Sequence, residues 1–505
     1  MESKFSLKKA QFAFIASMFL VLSCWALSVP PGGTPDEGYH VASIYCARGE
    51  DPGRCQKMVG ESVLGSAVVV PYLSDYCFHR GPEIAASCLP KDSENTLIIQ
   101  SRSAGNDLRN VYYWIQNTLA GTNTYNSIIA MRFANIILFV FVLFLLLRLN
   151  HSKLRRAALL GIFLSLVPQG VYIISSVNPS SWALTGVSSN WVFLYALRNN
   201  SIKSSITVSW LGYLLTLTLT LARLDSLGFV VFTTICVLLF TNSPSKVTKP
   251  MVLFVGAFGG VAIFVSLYFN LVQAFLSQLR FAFSSTTGVG FLWYWFVHII
   301  DIPAFSFGFN YQNYGPLGGG LEVLMPPVVA IIQFGLFTLL ALYLINRYSK
   351  KLLIFHLLSF VFLYSVLIQQ LSAEMTYNPY WVQGRYILPL IPFLIGYSLQ
   401  LVKSDFQLPS HAQMKLLAGL LSLSHAVAFL TLVQRYSIGS EQSLTNPFSF
   451  EWSYYPVLPA FGLWLIGSLG FIALMYFGTN ILAPSVNTET PLAPNDSQPI
   501  DNQLV

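Results

Sequence analysis

The sequence has 505 residues, of which 54% are hydrophobic and 10% are charged, whereas ordinary soluble domains carry about 25% charged residues. Together with a mean hydropathy of +0.59, this charge deficit excludes a soluble globular protein with a normal water-facing surface. The net charge of +7 lies in short segments between apolar stretches, which argues against a nucleic-acid partner. We therefore predict an all-α polytopic membrane protein in contact with membrane lipids.

Apolar stretches long enough to cross a bilayer recur along the whole chain. The first span is expected to be retained rather than cleaved as a signal peptide. An even number of spans would place both termini on the same side of the membrane. We predict about twelve spans, near 11–30, 127–148, 157–177, 181–198, 205–222, 226–241, 250–271, 325–346, 351–371, 386–402, 413–433 and 457–479.

Basic residues are concentrated in alternate connections between these spans. Such an asymmetry is the positive-inside pattern, which places the basic connections in the cytoplasm. We therefore expect a multi-pass protein of the plasma membrane with a cytoplasmic N-terminus. The basic groups are Lys4, Lys8 and Lys9, Arg148, Lys153, Arg155 and Arg156, Arg198 and Lys203, Lys246 and Lys249, Arg347, Lys350 and Lys351, and Lys403 and Lys415.

Two long segments are predicted outside the cell, within a transmembrane domain covering 1–483. The first, 31–126, holds Cys46, Cys55, Cys77 and Cys88, and an even number of cysteines in an oxidising compartment predicts two disulfides. Three pairings are possible, and the sequence does not choose among them. Cys24 and Cys236 lie in apolar spans and are expected to be inert.

The second outer segment, 272–324, contains FLWYWFVHII at 291–300, which is too short to span and suits an interfacial helix. The aromatic and glycine-rich stretch around Phe305–Tyr314 follows and predicts a mobile rim that could stack on an acceptor sugar. The polar residues 484–505 are predicted to form a disordered cytoplasmic tail. No nucleotide-binding loop appears in the sequence, so an ATP-driven pump is not expected.

The stretch TPDE follows the first span and carries two adjacent carboxylates. Thr34 as N-cap, Pro35 at the first helical position and Glu37 at the third would form a capping box. That interpretation accounts for Glu37 but does not require Asp36. Near a helix N-terminus the helix dipole keeps a carboxylate ionised, as general-base catalysis on a hydroxyl requires.

Further motifs accompany Pro35-Asp36-Glu37 along the chain. They are VYYW at 111–114, MRFAN at 131–135, Asn178-Pro179-Ser180, Arg223 within LARLDS, and VQGRYILP at 382–389. With these motifs the chain resembles the GT-C superfamily of membrane glycosyltransferases, closest to a bacterial, actinobacterial-type branch of polytopic membrane proteins of unknown function. That branch has Asp where this chain has Ser180, so this position lacks the carboxylate of the branch.

The resemblance implies a GT-C-like bundle and a sugar donor carried on a polyprenyl phosphate. It implies Asp36 as the general base, with Glu37 as an assistant or a cap. Arginine forks fit phosphate oxygens, so Arg223, Arg385 and Arg132 are expected to bind the leaving phosphate. Headgroup anchoring is the alternative for these arginines, as is a pairing of Arg223 with Asp225.

Four further residues are candidates for substrate binding: His40, Asn178, Gln383 and Tyr386. His40 lies four residues after Asp36 on the same helical face. It could join Asp36 and Glu37 around a divalent cation, but three residues are too few to predict a metal site, and a surface histidine is the plainer interpretation.

The function expected from these observations is transfer of a sugar from a polyprenyl-phosphate donor to a cell-envelope glycan, glycolipid or protein on the outer face of the membrane. Two alternatives stay open. The chain could be a flippase or transporter of lipid-linked sugars with its outer carboxylates as a gate. It could also be a non-catalytic subunit of an envelope assembly complex, as the loss of the carboxylate at Ser180 would allow.

Overall fold

A computed structural model gives the arrangement of most of the chain. The predicted span at 250–271, the predicted interfacial helix at 291–300 and the predicted tail at 484–505 lie outside the residues it describes. The described residues are 2–49, 55–57, 66–71, 77–79, 81, 83–89, 96–100, 111–149, 151–199, 203–241, 304, 307–310, 315–317, 322–345, 347–373, 384–402, 411–440 and 458–482.

Helices dominate these residues. The helices are α1 (Glu2–Ser28), α2 (Glu37–Tyr45), α3 (Val111–Gln116), α4 (Thr124–Leu147), α5 (Ser152–Ser165), α6 (Val171–Ile174), α7 (Pro179–Asn199), α8 (Lys203–Thr220), α9 (Leu224–Phe240), α10 (Pro327–Ile345), α11 (Lys350–Ala373), α12 (Ile391–Leu401), α13 (His411–Ser437) and α14 (Ala460–Leu482). Single 3-10 turns occur at Cys77–His79, Ala86–Cys88, Asn117–Leu119, Gly384–Tyr386 and Leu388–Leu390, and a π turn at Leu166–Gly170 joins α5 to α6.

A helix lies at each predicted span that falls within the described residues, and α8 and α9 separate at the predicted ARLDS break. The chain therefore has the multi-pass character that its composition predicts, although the number of about twelve spans is not confirmed. Six helical segments are long and apolar enough to cross a membrane: Lys8–Ser28, Thr124–Leu147, Ser152–Ile174, Pro327–Ile345, Ala412–Ser437 and Ala460–Leu482. Shorter apolar helices lie at Ile206–Thr220, Asp225–Phe240 and Leu388–Leu401.

Helix α7 is the centre of the bundle. It is buried along almost its whole length and packs against α8, α9, α4, α5 and α12, while α1 packs along α14 and α4. Small residues allow these close approaches, since van der Waals contact replaces the hydrophobic effect inside a membrane. A Cβ added at Gly186 of α7 would lie 2.8 Å from the carbonyl oxygen of Thr216 in α8.

A small antiparallel sheet lies in the first outer segment, although the protein was predicted to be all-α. Strands β1 (Gln56–Lys57), β2 (Ser66–Pro71) and β3 (Thr96–Gln100) pair in the order β1-β2-β3, with Val69 opposite Ile98. The sequences SAVVVP and TLIIQ are rich in β-branched residues, which favour strands. The all-α prediction therefore holds for the bundle and is wrong for this lobe.

Both predicted disulfides form. Cys46 at the end of α2 is bonded to Cys55, and Cys77 is bonded to Cys88, which selects one of the three possible pairings. The buried Arg435 of α13 ties the second loop to the bundle by donating to the carbonyl oxygens of Phe78 at 2.5 Å and Ile84 at 2.7 Å. Cys24 and Cys236 are free and buried, as predicted.

The connections predicted to be cytoplasmic converge at one end of the bundle. Lys153 at the start of α5 donates to the carbonyl oxygen of Val402 after α12 at 2.9 Å, and Arg198 at the end of α7 donates to that of Thr241 after α9 at 2.7 Å. Both disulfides and the segment between α1 and α2 lie at the opposite end. The structure thus separates the two ends as the charge pattern predicts, and their assignment to cytoplasm and exterior stays a prediction.

Candidate functional site

The segment between α1 and α2, residues 30–36, carries the Pro-Asp-Glu motif. Helix α2 begins at Glu37, and Asp36 is its N-cap, with φ 54° and ψ 20° in the left-handed region. Among the described residues Asp36 is the one non-glycine residue with positive φ. The predicted capping box is wrong, because the helix starts later than expected and the buried hydroxyl of Thr34 has no hydrogen-bond partner.

Glu37 is turned away from its own helix start and into the bundle. Its carboxylate forms a bidentate ion pair with Arg132 of α4, with Nε to Oε1 at 2.9 Å and Nη2 to Oε2 at 2.7 Å, and both side chains are fully buried. Glu37 also accepts from the backbone N–H of Gly32 at 2.8 Å.

The guanidinium of Arg132 is fully engaged by the end of α1. It donates to the backbone carbonyl oxygens of Ala26, Val29 and Pro30 at 2.6–3.0 Å. The predicted phosphate-binding role of Arg132 therefore does not fit its position, nor does the predicted assisting role of Glu37. The pair instead fixes the start of α2 against α1 and α4.

Three other side chains hold the backbone of segment 30–36. Tyr172 and Tyr436 both donate to the carbonyl oxygen of Gly33, the latter at 2.8 Å. Asn178 donates to the carbonyl oxygen of Pro35 at 2.8 Å and accepts from the N–H of Ser180. The predicted substrate-binding role of Asn178 is thus replaced by a positioning role. Segment 30–36 is fixed from α4, α6, α13 and the residue before α7, and such a second layer of contacts preorganises a site.

The side chain of Asp36 meets Arg385 of the VQGRYILP motif. Nη2 of Arg385 donates to Oδ2 of Asp36 at 2.5 Å, and the side-chain exposures are 3% for Arg385 and 52% for Asp36. The Nε and Nη1 atoms of Arg385 are buried and have no hydrogen-bond partner among the described residues. A buried arginine with two unused donors lies beside a carboxylate that reaches solvent.

Arg223 and Arg385 both lie close to the aromatic ring of Tyr386. The guanidinium carbon of Arg223 is 5.2 Å from the ring centroid of Tyr386, and that of Arg385 is 5.3 Å from it. Arg223 forms a bidentate ion pair with Asp225, at 3.0 and 2.7 Å, which confirms the alternative considered from the sequence. Its Nη1 donates to the hydroxyl of Ser180 at 2.8 Å, so Ser180 faces Arg223 without a charge of its own.

Burial lowers the pKa of Arg223, but the Asp225 carboxylate outweighs it, with smaller contributions from Tyr386 and Tyr113, so that the pKa lies above its ordinary value.

Tyr113, which belongs to the VYYW motif, contacts helix α2. Its hydroxyl lies 2.9 Å from Nδ1 of His40. His40 is buried, so its interpretation as a surface histidine is wrong. Tyr113 links α2 to the Arg223 side of the site.

The side chains around Asp36 do not fit a metal site. Asp36 faces Arg385, Glu37 faces Arg132 and His40 faces Tyr113, so the three carboxylate and imidazole groups diverge. Within the described residues no group of three or more His, Cys, Asp or Glu side chains is placed to hold a cation.

Sequence reasoning assigned no role to several residues that build the site. Tyr172 and Tyr436 lie inside apolar spans, where tyrosine is commonplace, so no local signal marks them. Oε1 of Glu322 lies 3.0 Å from the hydroxyl of Tyr436, and a lone carboxylate after the GGG run was the one available signal for Glu322. Gln383 lies outside the described residues. At the predicted rim, Asn310 exchanges two hydrogen bonds with the backbone of Met325, both 2.8 Å.

Comparison with known families shows where these motifs belong. The family model described as "Predicted membrane protein (DUF2142)" matches residues 19–394. The chain belongs to this family. The match to DUF2142 spans every motif that contributes to the site, from Pro35-Asp36-Glu37 to VQGRYILP. No curated protein and no solved structure matches the chain.

Proposed function

We propose that this DUF2142 member is a membrane glycosyltransferase that moves a sugar from a polyprenyl-phosphate donor to a hydroxyl of a cell-envelope glycan, glycolipid or protein. The observation that carries the proposal is that Asp36 pairs with Arg385, while the guanidinium groups of Arg385 and Arg223 both lie close to the ring of Tyr386. These side chains come from three distant parts of the sequence and lie together at one end of the bundle. The GT-C resemblance of the motifs supports the same assignment.

The reaction requires a base on one side of the anomeric carbon and an anion site on the other. The acceptor oxygen forms a bond to the anomeric carbon, the bond from that carbon to the phosphate oxygen breaks, and the phosphate leaves with the electron pair. Asp36 takes the acceptor proton. Its carboxylate is half exposed and its backbone is fixed by the contacts of segment 30–36, so it can reach an incoming hydroxyl from a defined position.

Arg385 is the better of the two candidates for the leaving phosphate. Its Nε and Nη1 donors are buried and unused among the described residues, whereas the Nε and Nη2 donors of Arg223 are occupied by Asp225. Hydrogen-bond donors already aimed at developing negative charge stabilise a transition state without reorganisation. Arg223 contributes positive potential from its position beside the ring of Tyr386.

The donor is proposed to be lipid-linked because the site lies at one end of a bundle of membrane-spanning helices. The alternative of a lipid-sugar flippase makes a different prediction, since it moves its substrate without forming a glycosidic bond. The alternative of a non-catalytic subunit predicts that Asp36 can be neutralised without consequence for sugar transfer.

The test uses purified full-length protein in lipid nanodiscs. Undecaprenyl-phosphate-linked sugar is supplied as donor, with envelope material from a strain lacking the protein as acceptor. Mass spectrometry measures both the released undecaprenyl phosphate and the new glycosidic bond. We expect wild-type protein to produce both and Asp36→Asn to lower the rate by about 10²–10⁴-fold, the usual loss when a general base is removed.

The matched control is Glu83→Gln, which neutralises an exposed carboxylate of the disulfide lobe and should leave the rate unchanged. Equal rates of sugar transfer for wild type and Asp36→Asn would show that Asp36 is not the general base. Movement of the donor across vesicle membranes with no new glycosidic bond would favour the flippase instead.

A further inference from the structure

The described residues contain three ion pairs between arginine and a carboxylate, and one of them differs from the others. Arg132–Glu37 and Arg223–Asp225 are bidentate, with Nε and Nη2 of each guanidinium on the two oxygens of one carboxylate. Arg385, by contrast, is in contact with Asp36 through Nη2 alone.

The remaining hydrogen-bond donors of Arg385 are energetically unfavourable in their buried position. A buried donor without a partner costs free energy, more so on a charged group, and within the part of the chain that the structure describes neither Nε nor Nη1 of Arg385 has a partner. A phosphate presents several oxygens and can accept from two or three guanidinium nitrogens at once. Arg385 is therefore better satisfied by a phosphate than by one oxygen of Asp36.

Asp36 is also the more exposed partner. Its side chain is 52% exposed, so it can turn to solvent without being buried unpaired. Its backbone, in contrast, is held in the left-handed region by the contacts of segment 30–36. The carboxylate can leave Arg385 by side-chain rotation, with the helix start unchanged.

We propose that Asp36 is an internal ligand that occupies the anion site of Arg385 until a phosphate group displaces it. The inference rests on the proposed function and adds an order of binding to it. While Asp36 is paired with Arg385, its carboxylate oxygen is engaged by a cation and is a poor proton acceptor. Binding of the donor phosphate to Arg385 releases that oxygen, so the base becomes available only after the donor has bound.

Competition of this kind has a counter-intuitive consequence for binding. If Asp36 holds Arg385 in most molecules, the apparent affinity for phosphate is reduced by the fraction in which the site is open. Neutralising Asp36 removes the competitor. The variant that destroys the proposed base should therefore bind phosphate more tightly than wild type.

The experiment measures binding rather than turnover. Farnesyl phosphate and inorganic phosphate are titrated separately into wild type, Asp36→Asn, Arg385→Gln and Glu83→Gln, all full-length in nanodiscs, with isothermal calorimetry as readout. Asn tolerates positive φ, so Asp36→Asn should retain the fold, and Asp36→Gly serves as a second variant if it does not. Thermal unfolding of each variant checks folding.

We expect Asp36→Asn to bind farnesyl phosphate about tenfold more tightly than wild type, corresponding to a site closed in roughly nine molecules of ten. Glu83→Gln should match wild type, and Arg385→Gln should lose binding. An equal gain in affinity for inorganic phosphate would identify the phosphate group alone as the ligand. A gain confined to farnesyl phosphate would identify a lipid-borne phosphate as the ligand. Either result supports the displacement.

Unchanged or weaker binding by a folded Asp36→Asn protein overturns the inference, as does the absence of binding in all variants. Failure of the proposed function is seen separately. Tighter phosphate binding by Asp36→Asn, together with no glycosidic bond formed by wild type, would retain the anion site and reject the glycosyltransferase.

Discussion

Nη2 of Arg385 lies 2.5 Å from Oδ2 of Asp36, although 349 positions of sequence separate the two residues. One belongs to a strained helix start after the first span and the other to a 3-10 turn before α12. This contact joins the two most distinctive motifs of the chain into one site.

The first prediction concerns the donors of Arg385. Arg385→Lys keeps the positive charge but loses the planar fork that can donate to two or three phosphate oxygens. We expect it to lower the sugar-transfer rate by about 10²-fold or more, the loss typical of a missing donor to developing charge. Rates are measured in the nanodisc assay. A rate equal to wild type would show that charge alone suffices and that the fork has no role.

The second prediction concerns the backbone of Asp36. At φ 54° a Cβ is unfavourable, and glycine is the residue best able to adopt this conformation. Asp36→Ala and Asp36→Gly both remove the carboxylate, so their difference isolates the backbone. We expect the Gly variant to be more stable by about 1 kcal/mol, measured as a higher thermal midpoint. The opposite order would mean that this helix start relaxes out of the left-handed region in the variants.

The third prediction concerns the buried pair of Glu37 and Arg132. Arg132→Met would leave Glu37 buried and unpaired, which costs about 3–5 kcal/mol. We expect little folded protein, measured as monodisperse yield on size-exclusion chromatography in detergent. The double variant Glu37→Gln with Arg132→Met removes both charges and should recover part of the yield. A double variant no better than Arg132→Met alone would contradict a coupled ion pair.

The fourth prediction uses the position of Ser180. Its hydroxyl accepts from Nη1 of Arg223 at 2.8 Å, while Asp225 holds the other edge of the guanidinium. Asp225→Asn should weaken this pairing by about 1.5–3 kcal/mol, the range for hydrogen bonds to charged groups. Adding Ser180→Asp should restore the thermal midpoint, because the new carboxylate would lie on the same guanidinium. No recovery in the double variant would mean that Asp cannot reach Arg223 from this position.

The fifth prediction concerns the lobe closed by Cys77–Cys88. Replacing both cysteines with serine should destabilise the protein by about 2–4 kcal/mol, seen as a lower thermal midpoint. Dithiothreitol should lower the midpoint of wild type more than that of this variant. Peptide mapping without reduction should recover the Cys46–Cys55 and Cys77–Cys88 linkages. A different linkage pattern would contradict the arrangement around Arg435.

Local sequence patterns predicted some parts of the architecture. The apolar stretches predicted a helix at each span within the described residues, because hydrophobic length is a property of contiguous sequence. Four cysteines in one polar segment predicted two disulfides, but their pairing depended on how that segment folds. The strands β2 and β3 were missed, since short apolar runs in a long polar loop do not by themselves distinguish strand from turn.

The same limit applies to the site. The sequence placed Asp36, Arg223 and Arg385 at the same end of the bundle, since charge patterning and span order fix which ends of the spans lie together. It treated Arg132 as an equal candidate for phosphate and His40 as exposed. Burial decided otherwise: Arg132 is enclosed with Glu37, and His40 packs on Tyr113.

By itself the sequence determined that this chain is a membrane protein of many helices and that its unusual charges lie at the ends of those helices. Only the tertiary structure decided which arginine meets which carboxylate. The physical reason is that composition and hydrophobic period act over tens of residues, whereas an ion pair forms wherever packing brings two side chains within about 3 Å. Here the packing of α4, α6, α13 and Asn178 around segment 30–36 sets that choice.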